Sequence, residues 1–163
     1  MTDWKRICGI DGTAILTSLR AAVATVISML VARGLKLPEF YWAPISTIVI
    51  LLSTTDPLTL AWQRFVGTAL GATVGALIAT YFQPTWIVYG LGIFACGILG
   101  SFLRLGSAYR FTAITLSIVL LITHERPPWN VALHRFIEVS LGIAVALLAT
   151  LAWPIAACSS KKV

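Results

Sequence analysis

The sequence predicts an all-α polytopic membrane protein of six transmembrane helices, and three observations carry that prediction. Apolar residues make up 58% of the chain and charged residues only 11%, with a mean hydropathy of +0.91, far from the balance of a water-soluble domain. Six separate apolar stretches follow one another in 163 residues, leaving too little polar surface for a greasy soluble core. Inside one stretch Gly67, Gly71 and Gly75 recur four residues apart, the spacing that lets helices approach closely in lipid.

After a short segment over 1–12, the expected helices cover 13–32, 38–54, 65–83, 85–103, 108–124 and 134–157, with a tail over 158–163. Each is near the roughly 20 residues that cross the hydrocarbon, the second and fifth being short. The first contains Arg20 and is followed by no clean small-residue cleavage site, so no cleaved leader is expected. The second carries Pro44 just after Tyr41-Trp42-Ala43; proline removes a backbone donor and crowds the preceding turn, which predicts a kink or break there. In the third, Gly67, Gly71, Gly75 and Ala79 line one face, with Arg64 at the helix mouth. Gly90, Gly92, Gly97 and Gly100 make the fourth permissive to close packing without such regularity. The fifth follows a loop from Arg104 to Arg110, and the sixth opens at Arg135 and repeats the small-residue face with Gly142 and Ala146.

Basic residues resist translocation, so their placement orients the chain. With six crossings, Lys5, Arg6, Arg64, Arg104, Arg110, Lys161 and Lys162 share one side, against Arg33, Lys36, Arg126 and Arg135 on the other. Both termini are therefore expected in the cytoplasm, in the inner (plasma) membrane. The net charge of +6 is explained by this signal together with anionic headgroups, and no nucleic-acid partner is expected. Cys8, Cys96 and Cys158 lack metal-ligand spacing. His124 and His134 stand apart from any nucleophile elbow, phosphate loop or carboxylate cluster, which argues against an enzyme, a metal or a cofactor.

An internal repeat bears on mechanism. An offset of 71 superimposes Arg64 on Arg135, Phe65 on Phe136, Gly71 on Gly142 and Val74 on Val145, while an offset of 69 pairs Trp42 with Phe111 and Ile45 with Ile114. Three crossings separate the copies, so they run in opposite directions, a 3+3 inverted repeat of the kind common in secondary transporters. The first and fourth helices match poorly. A rival offset of 44 relates Arg20 to Arg64 and Trp42 to Trp86.

Charges in hydrocarbon are costly unless paired or wetted, so each ionisable residue beside the apolar stretches is a candidate site. Arg20, about 10 Å along its helix, either contacts an anion or snorkels to the headgroups. Arg64 and Arg135 either anchor to headgroups or serve as an inverted pair of anion contacts. Glu138, one turn beyond Arg135 on the same face, either forms an ion pair with it or carries a proton. Asp56 precedes Pro57 and either caps the next helix or takes part in proton coupling. Tyr41 and Trp42 are either membrane-belt aromatics or a stacking platform for a planar ligand.

Tyr41-Trp42-Ala43, Arg64-x-x-Gly67-Thr68-x-x-Gly71-x-x-x-Gly75, and the element from Arg135 through Gly142 to Trp153-Pro154 together resemble the fusaric acid resistance and aromatic acid exporter superfamily. Its plant relatives are the aluminium-activated malate transporters, and the resemblance covers about residues 20–154. It implies a membrane transporter that exports organic, chiefly aromatic, carboxylates, with the proton gradient as its energy source. On that basis Arg20, Arg64 and Arg135 attract the carboxylate, Tyr41 and Trp42 contact the rest of the ligand, and Glu138 and Asp56 are the proton-coupling candidates. Gly67, Gly71, Gly75 and Gly142 are assigned to helix packing. Many relatives carry a cytoplasmic domain or two membrane halves, so this single half is expected to form a homodimer; docking to a periplasmic adaptor is a further expectation. The opposing readings are an anion channel of the same fold and a non-transporting subunit whose glycine faces dock a larger partner.

Overall fold

In the computed structural model, which describes residues 12–83, 85–102, 108–122 and 127–153, all regular structure is helical. Among the described residues there are six helices, α1 (Gly12–Gly34), α2 (Trp42–Leu51), α3 (Pro57–Tyr81), α4 (Trp86–Phe102), α5 (Ala108–Ile122) and α6 (Pro128–Ala152). Two stretches, Ala14–Gly34 and Pro128–Ala152, are long and apolar enough to cross a membrane. At 10 residues α2 is only about 15 Å long, half the hydrocarbon thickness.

The helix starts differ from the expectation where proline sets them. α3 begins at Pro57, not near 65, because Asp56 Oδ2 accepts hydrogen bonds from the Thr59 amide (3.0 Å) and hydroxyl (3.1 Å), and Pro57 occupies a first-turn position that needs no donor. Pro128 starts α6 in the same way, not near 134. Pro44 neither kinks nor breaks α2: it lies in the first turn of a helix that starts at Trp42. α1 closes in a Schellman pattern, with Leu37 N–H donating to the Ala32 carbonyl and Lys36 N–H to the Arg33 carbonyl. Lys36 takes the left-handed position at φ 54°.

Packing is inverted in composition. Alanine, glycine, serine and threonine dominate the interior, while large side chains such as Leu30, Trp86, Phe94, Phe102, Leu148 and Leu151 are exposed. Such a surface suits lipid, and small interior residues supply close backbone contact where no hydrophobic drive exists between helices.

The helix contacts follow the repeat. α3 packs most extensively along α5, then α3 on α6 and α2 on α6. A Cβ on Gly71 would strike the Thr112 carbonyl and lie 2.8 Å from Thr115 Cβ, whereas one on Gly142 would strike the Ala43 carbonyl and lie 2.6 Å from Ser46 Cβ. Thr112 and Thr115 are Ala43 and Ser46 shifted by 69. Each repeat thus lends its third helix to the second helix of the other, and Phe65 meets its own equivalent Phe136 at 5.0 Å. Reciprocal contacts of this kind define a two-fold axis. Phe65 meets Phe136 while Ala72 and Ala76, further along α3, cluster with Val131 and Ala132, nearer the start of α6, so the two helices are antiparallel and the axis crosses them.

The poorly matching first and fourth helices also occupy equivalent places, α1 against α2 and α6, α4 against α5 and α3. Their buried stripes, Ala24, Ser28 and Ala32 on α1 and Gly92, Cys96 and Gly100 on α4, are related by an offset of 68. The offset of 44 has no such support: Trp86 is 84% exposed, whereas Trp42 is covered by Arg135.

Candidate functional site

The two-fold axis passes between two buried arginines, and a cavity of about 290 Å³ lies there. Arg64 and Arg135 sit seven residues inside α3 and α6, about 10 Å from each helix start, not at helix mouths. They are 8% and 2% exposed. Much of the rest of the lining also comes in repeat pairs: Trp42 with Phe111, Ile45 with Ile114, and Val49 with Ile118. Thr68 and Thr115 add hydroxyls.

Each guanidinium rests on the aromatic face supplied by the opposite repeat. Arg64 Cζ lies 4.9 Å from the Phe111 ring centroid and Arg135 Cζ 3.4 Å from that of Trp42. A cation over a ring face is attracted by the ring quadrupole, which holds the charge where water is scarce without neutralising it. The Arg64 charge also acts on Arg135. Two like charges facing one low-dielectric cavity repel, and an anion between them removes that cost. Arg64 Nε, Arg135 Nε and Trp42 Nε1 are buried without a hydrogen-bond partner among the described residues.

The surroundings of the arginines differ. Arg135 Nη2 is 3.6 Å from Glu39 Oε2, and the Glu39 amide donates to Glu138 Oε1 at 3.0 Å. Glu138 is wholly buried and acts electrostatically on Arg135. Glu39 lies in the α1–α2 connection, outside the candidate residues that the sequence offers. Its signal is a carboxylate three residues before Trp42, in a chain with only six acids.

Other expected site residues lie elsewhere. Arg20 donates from Nη1 to the Trp153 carbonyl at 3.1 Å, tying α1 to the end of α6. Asp56 is the exposed α3 cap. Tyr41 is 45% exposed and lies against Trp42 in a tilted ring contact at 5.5 Å, outside the cavity lining. Gly67, Gly71 and Gly75 seat α3 on α5, and Gly142 seats α6 on α2. Arg104, His124, Arg126, Lys161 and Lys162 lie outside the described residues, as do Lys5 and Arg6.

A second, open cavity of about 510 Å³ adjoins the first, sharing Val49, Phe111 and Ile114 with it. Its outer wall is polar, with Ser53, Thr55, Gln63 and Arg110.

The family model for fusaric acid resistance protein-like proteins matches residues 23–149, which include every residue of the arginine cavity. The chain belongs to this family. It is similar to the inner membrane protein YeeA of Escherichia coli (strain K12), with 29% identity over 150 residues, 86% of this chain and 41% of that protein. The chain thus spans less than half the length of this relative. No solved structure matches it. Membership makes this a membrane protein with a transport-related role.

Proposed function

We propose that the protein exports organic, chiefly aromatic, carboxylates across the inner membrane through the Arg64–Arg135 cavity. One observation carries the reading: two buried arginines from inverted repeats converge on a single cavity whose other walls are aromatic and aliphatic apart from Thr68 and Thr115. Guanidinium geometry suits a carboxylate, and Trp42, Phe111, Ile45 and Ile114 suit a flat apolar body. Ligand sites on the repeat axis are the general pattern for inverted-repeat transporters.

In this reading all six helices traverse the bilayer with both termini cytoplasmic, and the Gln63–Arg110 cavity is the cytoplasmic entrance. The opposite side is held shut by Trp42 and the Glu39 connection. Of the proton-coupling candidates, Glu138 is the one inside the site, while Asp56 serves α3 as its cap. Arg20 and Tyr41 act from outside, Arg20 by fixing the α6 end and Tyr41 by supporting Trp42. Two copies associate through exposed apolar faces such as that of α4; a periplasmic adaptor would dock on the dimer.

Efflux of benzoate from proteoliposomes tests the assignment. Wild-type protein should release it, and Arg64→Gln should reduce the rate at least about tenfold through loss of a charge-assisted contact. Equal rates for wild type and Arg64→Gln would sink the proposal.

A further inference from the structure

The repeat makes Arg64 and Arg135 equivalent in position, yet their surroundings differ in one confined place. Shifting Glu138 by 71 gives Gly67, and shifting Glu39 by 69 gives Ala108. Beside Arg135, Glu138 receives the Glu39 amide; beside Arg64, a Cβ on Gly67 would come within 2.6 Å of the Ala108 carbonyl. Two acids on one side of the axis therefore correspond to a backbone contact too close for any side chain on the other. Among the described residues, Arg64 has no carboxylate within ion-pairing distance, whereas Arg135 has Glu39 at 3.6 Å.

Of the two guanidiniums that face the cavity, one is already answered by the chain's own acids. A ligand with one negative charge meets Arg64 as the unopposed cation. A ligand with two places its second charge beside Glu39 and Glu138, and in a low-dielectric site an unanswered charge costs several kcal/mol at the general scale. Glu39 is the more adjustable acid, because it comes from a connection and not from a helix.

We infer that Glu39 is a specificity-determining counter-anion, which restricts the cavity to singly charged carboxylates by occupying Arg135. This rests on the carboxylate reading of the site and deepens it. The second charge of a doubly charged ligand lies nearer Glu39 than the first, so Glu39 repels the dianion more strongly than the monoanion and removing that charge must shift preference toward the dianion.

The test is equilibrium binding of benzoate and of phthalate to the purified full chain, at a pH where both phthalate carboxylates are ionised. Wild type should favour benzoate. Glu39→Gln should raise phthalate affinity relative to benzoate by about tenfold, and Glu39→Asp should keep the wild-type ratio. Glu138→Gln, which removes the neighbouring charge, should shift the ratio in the same direction and keeps the test alive if one variant fails to fold. A phthalate-to-benzoate ratio unchanged in both Gln variants overturns the inference while leaving the carboxylate site standing. Wild type binding neither anion overturns the site and the inference together.

Discussion

At the scale of single residues, the proposed site rests on two arginines held on aromatic faces. Replacing Trp42 with leucine removes the ring under Arg135 and should weaken benzoate binding by about 1–2 kcal/mol, read by calorimetric titration. An unchanged affinity would make Trp42 a packing residue only. Asp56→Ala removes the α3 cap and should lower stability by about 1 kcal/mol, seen as a fall in melting temperature with benzoate affinity intact. A loss of affinity there would return Asp56 to the site. The arginine pair was legible in the sequence because identical residues recur at one offset. Its depth was not, since the apolar stretches were read as starting after Pro57-Leu58-Thr59 and Pro128-Trp129-Asn130, whose polar members sit in the first helical turns. Glu39 escaped notice because ion pairing with Arg135 joins residues that no local spacing relates.

Among the helices, contact geometry sorts the glycines into two kinds. Gly71 and Gly142 face a carbonyl of the partner helix, while Gly90 and Gly97 have nothing within 4 Å of an added Cβ. Gly71→Ala and Gly142→Ala should each cost about 1–3 kcal/mol by overpacking, whereas Gly90→Ala and Gly97→Ala should change stability by less than about 1 kcal/mol. Thermal unfolding of the four variants in one detergent checks this; equal losses across all four would remove the packing account. The regular spacing made the α3 face readable beforehand. The matching stripes of α1 and α4 were hidden because Ala24 and Gly92, or Ser28 and Cys96, are interchangeable for close approach without being identical. The apolar stretch expected over 38–54 overextends α2 at its start, where Pro38 to Tyr41, Glu39 among them, form turns instead.

For the whole molecule, the question is how a ten-residue α2 takes part in a membrane fold. It packs along α6 and α1, while Leu35 and Thr54 lie in the connections before and after it. In the six-crossing arrangement, cysteines placed at Leu35 and Thr54 should react with an impermeant maleimide from opposite sides of oriented vesicles. Labelling from the same side would make α2 re-entrant and reduce the crossings. The contact of Phe65 with Phe136 has a last consequence. Because backbones obey the two-fold and charges do not, a molecule inserted upside down would present nearly the same outline with its electrical sense reversed. Proteoliposomes of mixed insertion should therefore contain two kinetically distinct populations, and equal rates from both orientations would show that Glu39 and Glu138 confer no vectorial bias on an otherwise reversible shape.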